Sequence, residues 1–398
     1  MFTFVHQNNM MLVEDLKSLF LKHKESGLNH RYITNTHIEP LLKRLGHSFP
    51  VEVIGTSVLN RPIYGIKVGS GEKRILMWSQ MHGNESTTTK ALFDLLNTFL
   101  GSEALVAPIL KACTLYIIPI LNPDGAHVYT RVNANRVDLN RDAQALTQPE
   151  SKVLRAAFKT FKPHYCYNLH GQRTIFSAGN TNKPATISFL SPAQDKACTI
   201  TPNRKVAMEL IAAMNAVLQA VIPNQVGVYD DAFNLNCVGD TFQSEHVPTI
   251  LFEAGHFNND YARDKTRELI YMAYLVSLDY IAKNDVSGQH YEPYFTIPEN
   301  EKLFFDILIK NVKQKINDQE QVVDVGILYQ ETLVDGQILF VPNIERIERL
   351  EGYYGHRTID AGYQEVLDAD GQPLKVNNEN VFVMMNNEKI SLLPKYYV

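Results

Sequence analysis

The segment Gln80-Met81-His82-Gly83-Asn84-Glu85-Ser86 presents an imidazole and a carboxylate with two residues between them, directly after an apolar run. Zinc favours nitrogen and oxygen ligands of this kind, and a catalytic site takes three from the protein so that water can occupy the fourth position. A His and a Glu this close can face one ion from a single turn, so a third ligand must come from elsewhere in the chain. His170, in Tyr167-Asn168-Leu169-His170-Gly171, closes another apolar run about 85 residues later and is the best candidate. Gly171 is expected to let the backbone turn sharply away from the ion. The competing readings are a hydrogen-bonded structural histidine at His170 and a pair of solvated residues at His82 and Glu85.

Two further segments carry chemistry. Asn122-Pro123-Asp124-Gly125 is a strong turn signal. It opens a stretch in which Arg131, Arg136 and Arg141 alternate with Asn133, Asn135 and Asn140. Arginine offers a planar fork of donors suited to carboxylates and developing oxyanions, although a salt-bridged surface loop would read the same way. Glu253 follows the apolar run Thr249-Ile250-Leu251-Phe252. A carboxylate at the end of a buried strand is partly desolvated, and its pKa can rise toward the range useful for a general base. An ion pair that merely braces the fold is the alternative there. His127, His246 and His256 lie near these motifs and read as structural or as supports behind the site residues.

The elements that must position these groups are short apolar runs alternating with helical patterns from about residue 50. Residues 51–58 and 62–69 read as neighbouring strands, and 74–80, 114–121, 164–170 and 248–255 as further ones. Helical spacing marks 86–100, 205–222 and 266–282. Such alternation implies a mostly parallel or mixed sheet with helices on both faces. The polar motifs fall just after strands, where open α/β sheets bind ligands. After residue 284 the text changes: 285–320 reads as a linker and an amphipathic helix, and 321–398 as a small β-rich module of unreadable role.

Composition narrows the functions. With 398 residues, 45% of them hydrophobic, the chain can bury a large core and support a second module. A net charge of -5 leaves no basic excess to track a phosphate backbone, so nucleic acid is not an expected partner. The first residues lack a secretory pattern, Met1 argues against a trimmed signal, and no apolar run reaches the length of a membrane span. Cys113, Cys166, Cys198 and Cys237 are scattered, three of them in surroundings that suggest buried reduced thiols. A cytoplasmic protein acting on small or peptidic substrates is expected, and the sequence is silent on oligomeric state.

Taken in order, His82-Gly83-Asn84-Glu85, Asn122-Pro123-Asp124-Gly125, the run from Arg131 through Asn140-Arg141, His170 and Glu253 resemble the zinc carboxypeptidase family. Val137-Asp138-Leu139-Asn140-Arg141 looks most like its bacterial murein-peptide-amidase branch. The resemblance covers roughly residues 50 to 284 and implies an α/β/α sandwich around a mixed sheet. It implies that His82, Glu85 and His170 bind one zinc ion and that Glu253 is the general base for hydrolysis of an amide bond near the carboxyl terminus of a peptide or peptide-like substrate. By the same resemblance Arg131 supports the oxyanion, and Asn140 and Arg141 dock the substrate carboxylate. Tyr229 or Phe233 stands near the family's mobile tyrosine position, and the specificity pocket is expected around Val238 to Thr241. Two residues depart from the pattern: Asn168 stands where many relatives carry Asp, and Asp142 follows Arg141 where Asn is usual. A zinc deacylase resembling the aspartoacylase and succinylglutamate desuccinylase group is the second enzymatic reading, and a catalytically silent binding module the third.

Overall fold

The computed structural model describes residues 11–316 and 319–394. Strands β1 (Val51–Thr56), β2 (Pro62–Gly69), β3 (Lys73–Ser79), β4 (Cys113–Ile118), β5 (Tyr165–Gly171), β7 (Ile187–Leu190), β8 (Val226–Val228) and β9 (Thr249–Ala254) form one sheet in the order β1-β2-β4-β3-β5-β9-β7-β8. β4, β3, β5 and β9 run parallel at its centre, while β2 and β7 pair antiparallel to them. The central runs are unbroken rather than alternating because both faces are covered. β6 (Phe176–Ala178) leaves the sheet and pairs with β10 (Asn300–Lys302).

One face is packed by α1 (Val13–His23), α3 (Thr87–Leu100), α7 (Pro202–Leu218) and α9 (Asp264–Lys283), whose apolar residues join Ile75, Met77, Ile117 and Phe252 in the main core. α2 (Asn35–Leu45) and α4 (Ala107–Ala112) close the same side, and α5 (Pro123–Val128) is the short helix of the Asn-Pro-Asp-Gly motif. On the other face, α6 (Pro149–Phe161) and α8 (Val238–Ser244) cover Leu76 and Trp78 with Leu154, Phe158 and Phe242. This part of the chain is thus the expected α/β/α sandwich.

The main core also encloses an ion pair. Arg267 of α9 donates from Nε and Nη2 to Asp94 of α3 at 2.6 and 2.5 Å, and both side chains are fully buried. Its remaining donors reach the carbonyls of Leu28 (2.6 Å) and Glu25 (2.9 Å). The guanidinium therefore fastens the N-terminal segment to two helices.

The C-terminal strands form a second body. β11 (Phe304–Ile316), β12 (Gln319–Val334), β13 (Gln337–Glu348) and β14 (Tyr354–Asp360) make a sheet in the order β13-β12-β11-β14. β15 (Val366–Leu367), β16 (Phe382–Met385) and β17 (Glu388–Ser391) form a smaller one. The segment expected to be an amphipathic helix, 302–316, is instead extended: Lys302 ends β10 and 304–316 are β11. Its apolar residues serve two sides: Ile307 and Ile309 enter one cluster, Phe305 and Leu308 another. A helix with one apolar stripe cannot fill both, whereas a strand buried on each face does. Among the cysteines, Cys113 and Cys166 are buried, while Cys198 and Cys237 are partly exposed, so two rather than three thiols lie in the interior.

Candidate metal centre and active site

At the end of β3 the chain turns through Gln80, a non-glycine residue with φ 43°. Its side-chain amide holds this conformation by donating to the carbonyls of Ile33 (3.0 Å) and Gly83 (2.9 Å). Gly83 is required for a different reason: a Cβ there would fall 2.0 Å from the carbonyl carbon of Gly125. The His-Gly-Asn-Glu turn and the Asn-Pro-Asp-Gly turn therefore touch backbone to backbone. Asn122 caps α5 by accepting from Gly125 N at 2.8 Å, with Pro123 in the first turn where its missing N–H costs nothing. Parallel strands β3, β4, β5 and β9 thus deliver their following turns to one edge of the sheet.

That edge brings His82, Glu85 and His170 together, with one ligand atom from each within 4.8 Å of the others. Nδ1 of His82 lies 2.9 Å from Glu85 Oε1, Nδ1 of His170 lies 2.9 Å from Glu85 Oε2, and the two Nδ1 atoms are 3.0 Å apart. Two imidazole nitrogens aimed at each other and at a shared carboxylate require a positive centre between them, a proton or an ion. Two nitrogens and a carboxylate are a donor set that suits zinc. Both histidines are buried, and burial lowers the pKa of His170. Gly171 does not turn the backbone away: it continues β5 opposite Ala254, has room for a Cβ, and donates its N–H to Glu85 at 2.9 Å.

The opposite nitrogen of His82, Nε2, is 3.0 Å from Asp138, a residue that the motif reading passed over. Asp138 also accepts from Arg131 Nε and Nη2 at 3.1 and 3.0 Å, and from Asn140 N at 2.9 Å. Burial would raise its pKa, but the His82 hydrogen bond and the charges of His82 and Arg131 outweigh burial and hold it well below the usual carboxylate range. A carboxylate behind a ligating histidine fixes the ring and raises its basicity. Asp138→Asn is therefore expected to weaken zinc binding about 10- to 100-fold in a chelator competition, with the fold intact.

Glu253 stands across the β5–β9 ladder from His170. Its Oε2 is buried without a hydrogen-bond partner, and the side chain forms no ion pair among the described residues, unlike a fold-bracing glutamate. Burial, reinforced by the charge of Glu85, raises its pKa well above the ordinary value against the pull of Arg131 and Arg263. Arg263, also absent from the motif reading, is a buried residue at φ 59°. It donates from Nη1 to Ala254 O and from Nη2 to Gln172 O at 2.7 Å. It thereby joins the ends of the two strands that carry Glu253 and His170.

A cavity of about 590 Å³ contains His82, Glu85, His170 and Glu253 in its lining, and Arg131, Asn140, Arg141 and Tyr229 as well. Tyr229 lines it and packs against Phe176, with ring centroids 5.4 Å apart, whereas Phe233 is not part of the lining. Arg136 sits in a left-handed turn at φ 61°, exposed and outside the cavity. Asn140 accepts from Val238 N at 3.1 Å, which ties the arginine loop to α8. Gly239 and Asp240 of α8 line the same space, and burial pushes the pKa of Asp240 up to about 6. Asp142 is buried and accepts from Thr147 N and Oγ1 and from Gln148 N within its own loop. Asn168 Oδ1 and His170 Nε2 are both buried without a partner among the described residues. His256 packs on Tyr261 and His356, and His246 lies 3.0 Å from Gln194, so neither enters the site.

The sequence pattern of the zinc carboxypeptidase family matches residues 38–229, a span that ends before β9 and so does not include Glu253. Carboxypeptidase 2 of Trichophyton tonsurans is 27% identical over 118 residues, 30% of this chain and 21% of that protein. Gamma-D-glutamyl-L-diamino acid endopeptidase 1 of Lysinibacillus sphaericus is 33% identical over 98 residues, 22% of this chain and 25% of that protein. The matched region thus spans about a fifth to a quarter of these relatives' length. A crystal structure from Shewanella denitrificans OS-217, named for carboxypeptidase A, shares the fold with a TM-score of 0.52 at 18% identity, over 62% of this chain and 68% of that one. No described helix is long and apolar enough to cross a membrane. Residues 38–229 thus match the zinc carboxypeptidase family, and the fold shared with the Shewanella structure extends over 62% of the chain.

Proposed function

We propose that the protein is a zinc-dependent metallopeptidase that hydrolyses an amide bond at or near the carboxyl terminus of a peptide or peptide-like substrate. The observation that carries this reading is the buried Oε2 of Glu253, without a hydrogen-bond partner among the described residues, in the same cavity as the His82, Glu85 and His170 cluster. Those three side chains would hold one ion, and zinc bound there would supply Lewis acidity that polarises a carbonyl and acidifies water. Glu253 takes the proton of the attacking water and returns it to the leaving amine. Arg131 turns from Asp138 toward the developing oxyanion, and removing such a donor typically slows turnover about 10²- to 10³-fold. Asn140 and Arg141 hold the substrate carboxylate, and Tyr229 closes over the scissile bond as a hydrogen-bond donor. The absence of any disulfide among the described cysteines supports a reducing, cytoplasmic setting.

Digestion of a peptide library read by mass spectrometry, beside a panel of N-acyl amino acids, tests the reading. Release of carboxyl-terminal residues, abolished by a chelator and restored by zinc, is expected. Faster turnover of the N-acyl amino acids would instead make the protein a deacylase.

A further inference from the structure

The C-terminal sheet grips three loops that carry active-site residues. Tyr129, two residues before Arg131, donates its hydroxyl to Glu331 of β12, whose other oxygen lies 3.0 Å from Nη2 of Arg31. Thr174, four residues after His170, donates to Asp306 of β11 at 3.2 Å, and its carbonyl lies 2.8 Å from His356 Nε2 of β14. Tyr261, two residues before Arg263, donates to the other oxygen of Asp306 at 2.8 Å. Around these polar ties Tyr129 and Tyr261 pack with Ile338 and Phe340 of β13 into one buried apolar cluster. A module held by charge-assisted hydrogen bonds around an apolar centre is a fixed wall rather than a tethered appendage.

Glu331 and Arg31 line the same 590 Å³ cavity as Glu253 and the His-Glu-His cluster. Among the described residues neither is bonded to Asn140 or Arg141, the end of the arginine loop proposed to hold the substrate carboxylate; the bond from Tyr129 meets Glu331 at the loop's other end, beside Arg131. Asn140 is bonded to Val238, and Gln144 to Thr241 on the same helix α8. Among the described residues no hydrogen bond or ion pair links that group to Arg31 or Glu331. The cavity thus has two differently built sides, one from α8 and its loop, the other including Arg31 and Glu331, the single residue of the C-terminal module in its lining.

We propose that Glu331, the residue by which the C-terminal module reaches the cavity, ends the cleft on the amino side of the scissile bond, clamped there by Arg31 and Tyr129. This rests on the peptidase reading and names its substrate class: short peptides, since a cavity of this size suits a ligand of roughly two to four residues. A longer chain must displace Glu331 from its two donors, leaving the largely buried Arg31 guanidinium without its partner. Breaking a buried ion pair from one side is strongly unfavourable, so length discrimination follows from the clamp.

The test is a ladder of N-acetylated peptides, two to eight residues long, sharing one carboxyl-terminal pair. Their binding to the zinc-loaded Glu253→Gln protein is measured by calorimetry, and their kcat and KM on the unaltered protein. Affinity is expected to hold to about four residues and then fall at least tenfold by six, with the change in KM rather than kcat. Arg31→Ala/Glu331→Ala should flatten the ladder, so that affinity no longer depends on peptide length. A ladder that is flat with Glu331 intact overturns the proposal even if the double variant does not fold, and so does a length step that a folded double variant leaves in place. Peptides that bind with the length step but are never hydrolysed would refute the peptidase reading and uphold the clamp.

Discussion

Replacing Glu253 by Gln is expected to lower kcat about 10²- to 10⁴-fold, the usual contribution of a positioned general base, while zinc content and KM stay near those of the unaltered protein. The amide keeps the shape of the side chain, and Oε2 has no hydrogen-bond partner to lose. The fold should therefore be indifferent to the exchange. Metal analysis beside steady-state kinetics on the best peptide checks it. Full turnover in the variant would remove Glu253 from the reaction and leave the cavity's chemistry to be assigned to another group. Loss of zinc would mean that the carboxylate acts on the metal cluster instead of on water.

The largest effect on stability is expected from Arg267→Leu. The substitution leaves the Asp94 carboxylate fully buried with its guanidinium partner gone, and the carbonyls of Leu28 and Glu25 lose their donors as well. Removing one member of a buried pair typically costs about 3 to 5 kcal/mol, because the remaining charge keeps its desolvation penalty. The double variant Arg267→Leu/Asp94→Leu should recover much of that loss, since no uncompensated charge then remains. Urea unfolding followed by far-ultraviolet circular dichroism, comparing single and double variants, provides the measurement. A single variant as stable as the double would show that Asp94 is neutralised by something other than Arg267.

The two predictions probe features of unequal legibility. Glu253 could be found by reading along the chain, because a carboxylate that closes an apolar run stands out. Arg267 and Asp94 could not: each is one charged residue in a helical pattern, and only the packing of α9 on α3 shows that both are buried. Asp138 lay within a quoted motif, yet its role depends on the direction of the His82 ring, which no spacing specifies. Arg263 was invisible because its contacts are to backbone carbonyls, and every residue has one.

What the sequence by itself determined is the half built on the eight-stranded sheet: strands buried on both faces must be continuously apolar, so β3, β5 and β9 announced themselves, and the polar groups that end them had to gather at one edge of a parallel sheet. The tertiary structure alone decided the rest. It made 304–316 a strand, because Phe305 and Ile307 belong to different clusters that neither residue can specify in isolation. It also brought Glu331 into the cavity of His82 and Glu253, a meeting of residues about 250 and 80 positions apart that local propensity cannot encode, since it depends on how two sheets dock.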